Sequence, residues 1–188
     1  MPDPRPDDVD SEAPPAASAR PEEDPETKAR AICLRLLTLA PRTRSQLAQA
    51  LRRREIPDEA AEAVLSRFNE AGIIDDAAFA AAWVDSRHTG RGLARRALAA
   101  ELRQRGVDEE TVRDAVEELT PEQEETAARS LVRRKLSATR GKAPEVRTRR
   151  LMGMLARKGY PAGLAYRVIR AELDAEGYDI DLPEPDLD

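Results

Sequence analysis

An apolar pattern recurs three times along the chain, and it limits the fold more than any other feature. Leu47, Leu51, Ile56, Val64, Leu65 and Phe68 are matched 51 residues later by Leu98, Leu102, Val107, Ala115, Val116 and Leu119. A further 53 residues on stand Leu151, Leu155, Tyr160, Val168, Ile169 and Glu172, with Leu173 beside the one polar exception. Steps of three and four residues place each set on two helices joined by a turn. Gly106 and Gly159 coincide before the turn in the second and third copies, where Glu55 stands in the first. Helical patterning also precedes each copy. The expectation is an all-α chain of three tandem three-helix repeats, over 27–74, 75–120 and 121–177, forming an elongated, curved array. Each unit has a thin apolar stripe and is expected to complete its core on its neighbour. Aromatic residues make up only 3% of the chain, so the core must come from Ala, Leu, Val and Ile.

Punctuation supports this division. Pro41, Pro57, Pro121, Pro144 and Pro161 each fall at or just before an expected helix start, where the missing N–H costs little. Thr120-Pro121-Glu122-Gln123 reads as a capped helix start. Gly72, Gly106 and Gly159 follow helical patterns, as terminating glycines do. Residues 1–26 are acidic and Pro-rich, with too few large apolar side chains to offset the entropy of ordering, and are expected to be disordered. Residues 178–188 are expected to form an acidic C-terminal tail.

The net charge of −5 conceals an uneven distribution. Residues 1–27 and 174–188 each carry a net −7, so the body from 28 to 173 holds 29 basic and 20 acidic side chains, a net +9. A basic body attracts polyanions, and acidic tails can compete for the same surface or simply aid solubility. The basic residues cluster, many at the ends of the middle helix of a unit. The candidates for contact with a partner or with phosphates are Arg44, Arg87, Arg91, Arg95 and Arg96, then Arg103 and Arg105, and in the third unit Arg133, Arg134, Lys135, Arg149 and Arg150. No aromatics interleave with them, which argues against stacking of free bases.

No pattern points to chemistry. Gly141-Lys142 lacks the flanking residues of a phosphate-cradling loop, and Gly90-Arg91-Gly92 is expected between helices, not after a strand. One cysteine and one histidine cannot build a thiolate or imidazole zinc site. Cys33 lies among leucines and reads as an inert core residue, and His88 as a surface residue at a helix end. Of Asp75 and Asp76, one is expected to cap the following helix and the other to favour its positive end. Phe79 and Trp83 share a helix face, as core or as an exposed anchor. No cofactor, no metal and no small-molecule substrate is expected. The N-terminus lacks the pattern of a secretory signal, no apolar run is long enough to span a membrane, and a cytoplasmic protein is expected.

The stretch Asp76-x-x-Phe79-Ala80-x-x-Trp83-Val84-x-x-Arg87 resembles a motif of the RecX family. So does Gly92-x-x-Arg95-Arg96-x-Leu98-x-x-Glu101-Leu102-x-x-Arg105-Gly106. Upstream, Arg44-Ser45-Gln46-Leu47 with Leu51 is similar to the family's first repeat, and Arg150-Leu151 through Gly159-Tyr160 to its third. The resemblance covers residues 28–173, with Trp83 in place of a more usual Phe or Tyr and Glu55 in place of a glycine. It marks Asp76, Phe79, Trp83, Leu98, Leu102 and Gly106 as structural motif residues. It implies a non-enzymatic modulator of RecA, and a monomer is expected. Such a protein binds RecA's filament on single-stranded DNA, with weak direct DNA binding, and limits filament extension, ATP hydrolysis and strand exchange in recombination and SOS repair.

Two other readings compete. Thr43 to Ile74 looks like a helix–turn–helix with a wing, as in a winged-helix DNA-binding regulator. Its recognition helix would open with Asp58, Glu59 and Glu62, however, which phosphates repel. A generic helical protein-binding scaffold would explain the repeats but not the basic body.

Overall fold

Every helix but the one that follows Ala94 begins where the sequence supplies a cap or a proline. The computed structural model describes residues 24–177. The first unit holds α1 (Pro25–Leu39), α2 (Arg44–Arg52) and α3 (Asp58–Glu70), and the second α4 (Asp76–Arg91), α5 (Arg95–Gln104) and α6 (Glu109–Glu117). The third holds α7 (Pro121–Leu136), a 3-10 turn (Ser137–Thr139), α8 (Pro144–Arg157) and α9 (Ala162–Ala175). Asp24, Asp75 and Asp108 accept from backbone N–H groups at the starts of α1, α4 and α6. Thr120 and Gln123 form a reciprocal capping box on α7. Thr43 and Gln46 form another on α2, with the same Thr-x-x-Gln spacing. α1 begins at Pro25, inside the segment 1–26 expected to be disordered, because Asp24 caps it. The rest of that segment and the tail 178–188 lie outside the described residues.

The chain is all-helical over the described residues. After Asp75, where a winged helix needs strands, stands α4, so the winged-helix reading fails. Gly90 and Arg91, expected between helices, belong to the last turn of α4, and Gly92 ends it at φ 61°.

The repeated apolar positions are the core. Leu47, Leu51, Leu98, Leu102, Leu151 and Leu155 are all buried, as are Ile56, Val107 and Tyr160 after the three turns. Glu172, the polar exception, is also buried and pairs with Arg129 and Arg133 on α7. The expectation that each unit finishes its core on its neighbour is not met. The units enclose three separate apolar clusters, and Ala94 alone crosses from the second unit into the third unit's cluster. Three helices suffice to close each core, so the junctions are free to be polar.

Those junctions repeat. At the first, the Thr43 hydroxyl donates to the Arg105 carbonyl at 2.7 Å, and Asp76 Oδ1 accepts from the Arg44 N–H at 2.9 Å. At the second, the Ala94 N–H donates to the Lys158 carbonyl at 2.9 Å, and Glu124 Oε1 accepts from the Arg95 N–H at 2.7 Å. In both, the C-terminal end of one middle helix meets the N-terminal end of the preceding unit's middle helix. A carboxylate from the following unit satisfies a donor that the helix start leaves unpaired. Asp76 therefore caps a neighbour's helix and not its own. The approach is close enough to require glycine. A Cβ at Gly106 would overlap the Ser45 side chain, and one at Gly159 would lie 2.6 Å from the Ala97 nitrogen. Glu55 adopts the same left-handed backbone, φ 57°, but among the described residues no unit packs against it.

Candidate polyanion-binding surface

The junctions decide where the cations lie. Joining the start of α2 to the end of α5 sets Arg44 near Arg105, and joining the start of α5 to the end of α8 brings Lys158 beside Ala94, within reach of the Arg91 and Arg134 charges. Some of the cations that the sequence spreads over helix ends thus meet at the two junctions.

Many candidate arginines are engaged within the protein. Arg44 pairs with Glu62, Arg95 with the buried Glu124 at 2.8 Å, Arg103 with Glu109, and Arg133 with Glu172 at 2.8 Å. The Arg103 hydrogen bond holds the Glu109 carboxyl below its ordinary range. Arg87 and Arg105 sit over the Trp83 indole, 4.1 and 3.6 Å from its centroid, and Arg87 also approaches Glu101. Trp83 stacks on Phe79 with centroids 5.8 Å apart, and its indole N–H donates to Glu101 at 2.8 Å. The aromatic pair is therefore half-buried against the second unit's core and does not project as a bare anchor. Its outer side borders a cleft with Leu37, Pro41 and Ile73 at the junction of the first two units.

Arg91, Arg96, Arg134, Lys135, Arg149 and Arg150 are exposed, and none has a carboxylate partner among the described residues. All lie in the second and third units. Arg134 borders a cleft of about 510 Å³ between the end of α4 and α7, lined also by His88, Gly92, Gln123, Thr126 and Ser130. Lys158 was not among the expected contacts. Its ammonium donates to the Arg91 carbonyl, and burial with the nearby charges of Arg134 and Arg91 pushes its pKa down. A lone lysine just before a terminating glycine gives no sequence signal beyond that of any cation at a helix end.

The remaining candidates have structural roles. Cys33 is fully buried, which pushes its thiol pKa up. His88 is half-buried in α4's last turn, with Nδ1 2.9 Å from the Leu93 carbonyl, and is not a free surface group. Burial, ahead of every other cause, raises the Asp76 carboxyl above its ordinary range. Among the described residues, no His, Cys, Asp and Glu side chains group to hold a metal ion, and no helix is long and apolar enough to cross a membrane.

Known proteins share this arrangement. Models of RecX match in three pieces: its first three-helix domain over residues 29–68, its second over 75–116 and its third over 122–169. Regulatory protein RecX of Thermobifida fusca is 72% identical over 175 residues, covering 93% of this chain and 94% of that protein. The chain belongs to the RecX family. Regulatory protein RecX of Streptomyces coelicolor is 63% identical over 164 residues, covering 87% of each chain. The crystal structure of RecX from Lactobacillus salivarius superposes with a TM-score of 0.74 at 18% identity, covering 80% of this chain and 97% of that one, a likeness of fold. A second RecX crystal structure gives a TM-score of 0.71 at 26% identity over 79% of this chain and 72% of that one. The RecX relatives are regulatory proteins by name, in keeping with a surface of cations and helix junctions.

Proposed function

We propose that this protein modulates RecA, chiefly as an inhibitor. It binds RecA's filament on single-stranded DNA and limits filament extension, ATP hydrolysis and strand exchange in recombination and the SOS response. Kinship with regulatory proteins named RecX carries the reading. The exposed cations without internal partners support it, because a filament carrying nucleic acid is a long polyanion and a row of linked units can follow it. The three units bury largely separate cores, joined mainly by hydrogen bonds between helix ends, with Ala94 alone shared between the second and third, which suits a row that lies along an extended partner.

The test is the cognate RecA's ATPase on single-stranded DNA, with this protein added below one copy per RecA. Strong inhibition is expected. Unchanged hydrolysis at an excess of folded protein would leave a basic helical scaffold for some other partner.

A further inference from the structure

We propose that Arg91, Arg134 and Lys158 form a seat for a backbone phosphate of a nucleic-acid strand, at the junction between the second and third units. This deepens the function proposed above, since a filament on single-stranded DNA presents such phosphates.

Three observations converge. The Lys158 ammonium is fixed at the end of α4 by its hydrogen bond to the Arg91 carbonyl, and Arg134 stands on the wall of the adjoining cleft. Burial, and then the charges of both guanidinium groups, hold the Lys158 pKa below the usual lysine range. Among the described residues, no carboxylate pairs with any of the three. Arg95, Arg103 and Arg133, by contrast, each have one. A cluster of like charges drawn together without a counter-ion is relieved by an anion bound among them.

The surroundings favour a phosphodiester. Thr126 and Ser130 add hydroxyl donors along α7, and no Phe, Tyr or Trp side chain lines the cleft, whose one ring, His88, is held against the Leu93 carbonyl. Glu122 lines the far end of the same cleft, where backbone donors and the Thr120 side chain hold its pKa down. It lies about 18 Å from Arg134 along the helix at a rise of ~1.5 Å per residue. The anion is thereby directed to the Arg134 end. Two guanidinium forks and one ammonium bind phosphate oxygens without reading sequence.

The experiment measures binding of a fluorescein-labelled oligothymidylate to the full chain by anisotropy, without RecA, between about 50 and 200 mM salt. Arg91→Gln/Arg134→Gln alters two exposed side chains, and Lys158→Gln is the second variant. Each is expected to weaken binding by about tenfold or more and to flatten the salt dependence, by roughly 0.7 in slope for each phosphate no longer neutralised. Arg113→Gln, on α6 beside Asp114, should bind as the parent does. Unchanged affinity and slope in variants with native circular dichroism would overturn the site, as would a parent protein that does not bind the oligonucleotide. Retained oligonucleotide binding with lost RecA inhibition would also overturn it, in favour of an acidic protein surface. Weakened oligonucleotide binding in the variants supports the site even if the parent leaves RecA's ATPase untouched, and in that case the RecA reading alone fails.

Discussion

At the scale of single residues, the carboxylate of Asp76 belongs by sequence to α4 but serves the start of α2. Asp76→Ala should remove that acceptor and destabilise the protein by about 1 kcal/mol, measured by urea unfolding. Asp76→Asn keeps an acceptor oxygen and should retain most of the stability. Because burial raises the Asp76 pKa in the fold, the folded protein holds that proton more tightly than the unfolded chain does. Its contribution is therefore most favourable at low pH and is lost as pH rises through the raised pKa, so Asp76→Asn should gain on the parent over that range. Tyr160 behaves alike at alkaline pH. Its hydroxyl donates to the Gly92 carbonyl at 3.1 Å, and burial, then the Glu124 charge, push its pKa up to about 12. Unfolded tyrosine ionises near pH ~10, so stability should fall from about pH 10 to about 12, and Tyr160→Phe should abolish that part of the decline. The burial of Tyr160 and Cys33 was legible from their places in the apolar pattern. The Asp76 contact was not, because its partner is 32 residues away and both side-chain neighbours looked like ordinary helix-start residues.

Elements were more legible than contacts. Prolines and capping residues fix where eight of the nine helices of the described residues begin, α5 after Ala94 being the exception, and the repeated leucines fix which faces are buried. Ion pairs were illegible for the same reason that Asp76 was. Arg95 meets Glu124 from 29 residues away and Arg133 meets Glu172 from 39, and nothing in either cluster marks which arginine will be neutralised. Gly106 and Gly159, at the ends of α5 and α8, were readable as terminators, but their closeness to a neighbouring unit was not. Gly106→Ala should therefore cost more than the roughly 1–2 kcal/mol of a left-handed residue, since Ser45 must also move. Glu55→Gly relieves the same backbone strain with no neighbour to satisfy, and should be neutral or stabilising by up to about 1 kcal/mol. Thermal melts of the two variants should move in opposite directions. A loss at Gly106→Ala no larger than the gain at Glu55→Gly would show that the turn, not the junction, demands glycine.

For the whole molecule, the basic body and its division into three units were legible, and how the units meet was not. Both ends of the row differ from its interior. At one end Glu55 puts a side chain where a junction tolerates only hydrogen. At the other, α8 starts a turn earlier than α2 and α5 relative to the shared leucines, and Arg147 fills the place held by Thr43 and Ala94. Arg147 is fully buried, with Thr139 and Glu176 as partners. Light scattering across micromolar to millimolar concentration should find a single copy. Mass growing with concentration would show that the ends can join. The two end residues thus work as full stops in a grammar whose commas are glycines. A fourth unit added by gene duplication would not simply extend the row, because it would meet either a glutamate or a buried arginine before it met a junction. Among the described residues the row holds three units, and those two side chains mark where it stops.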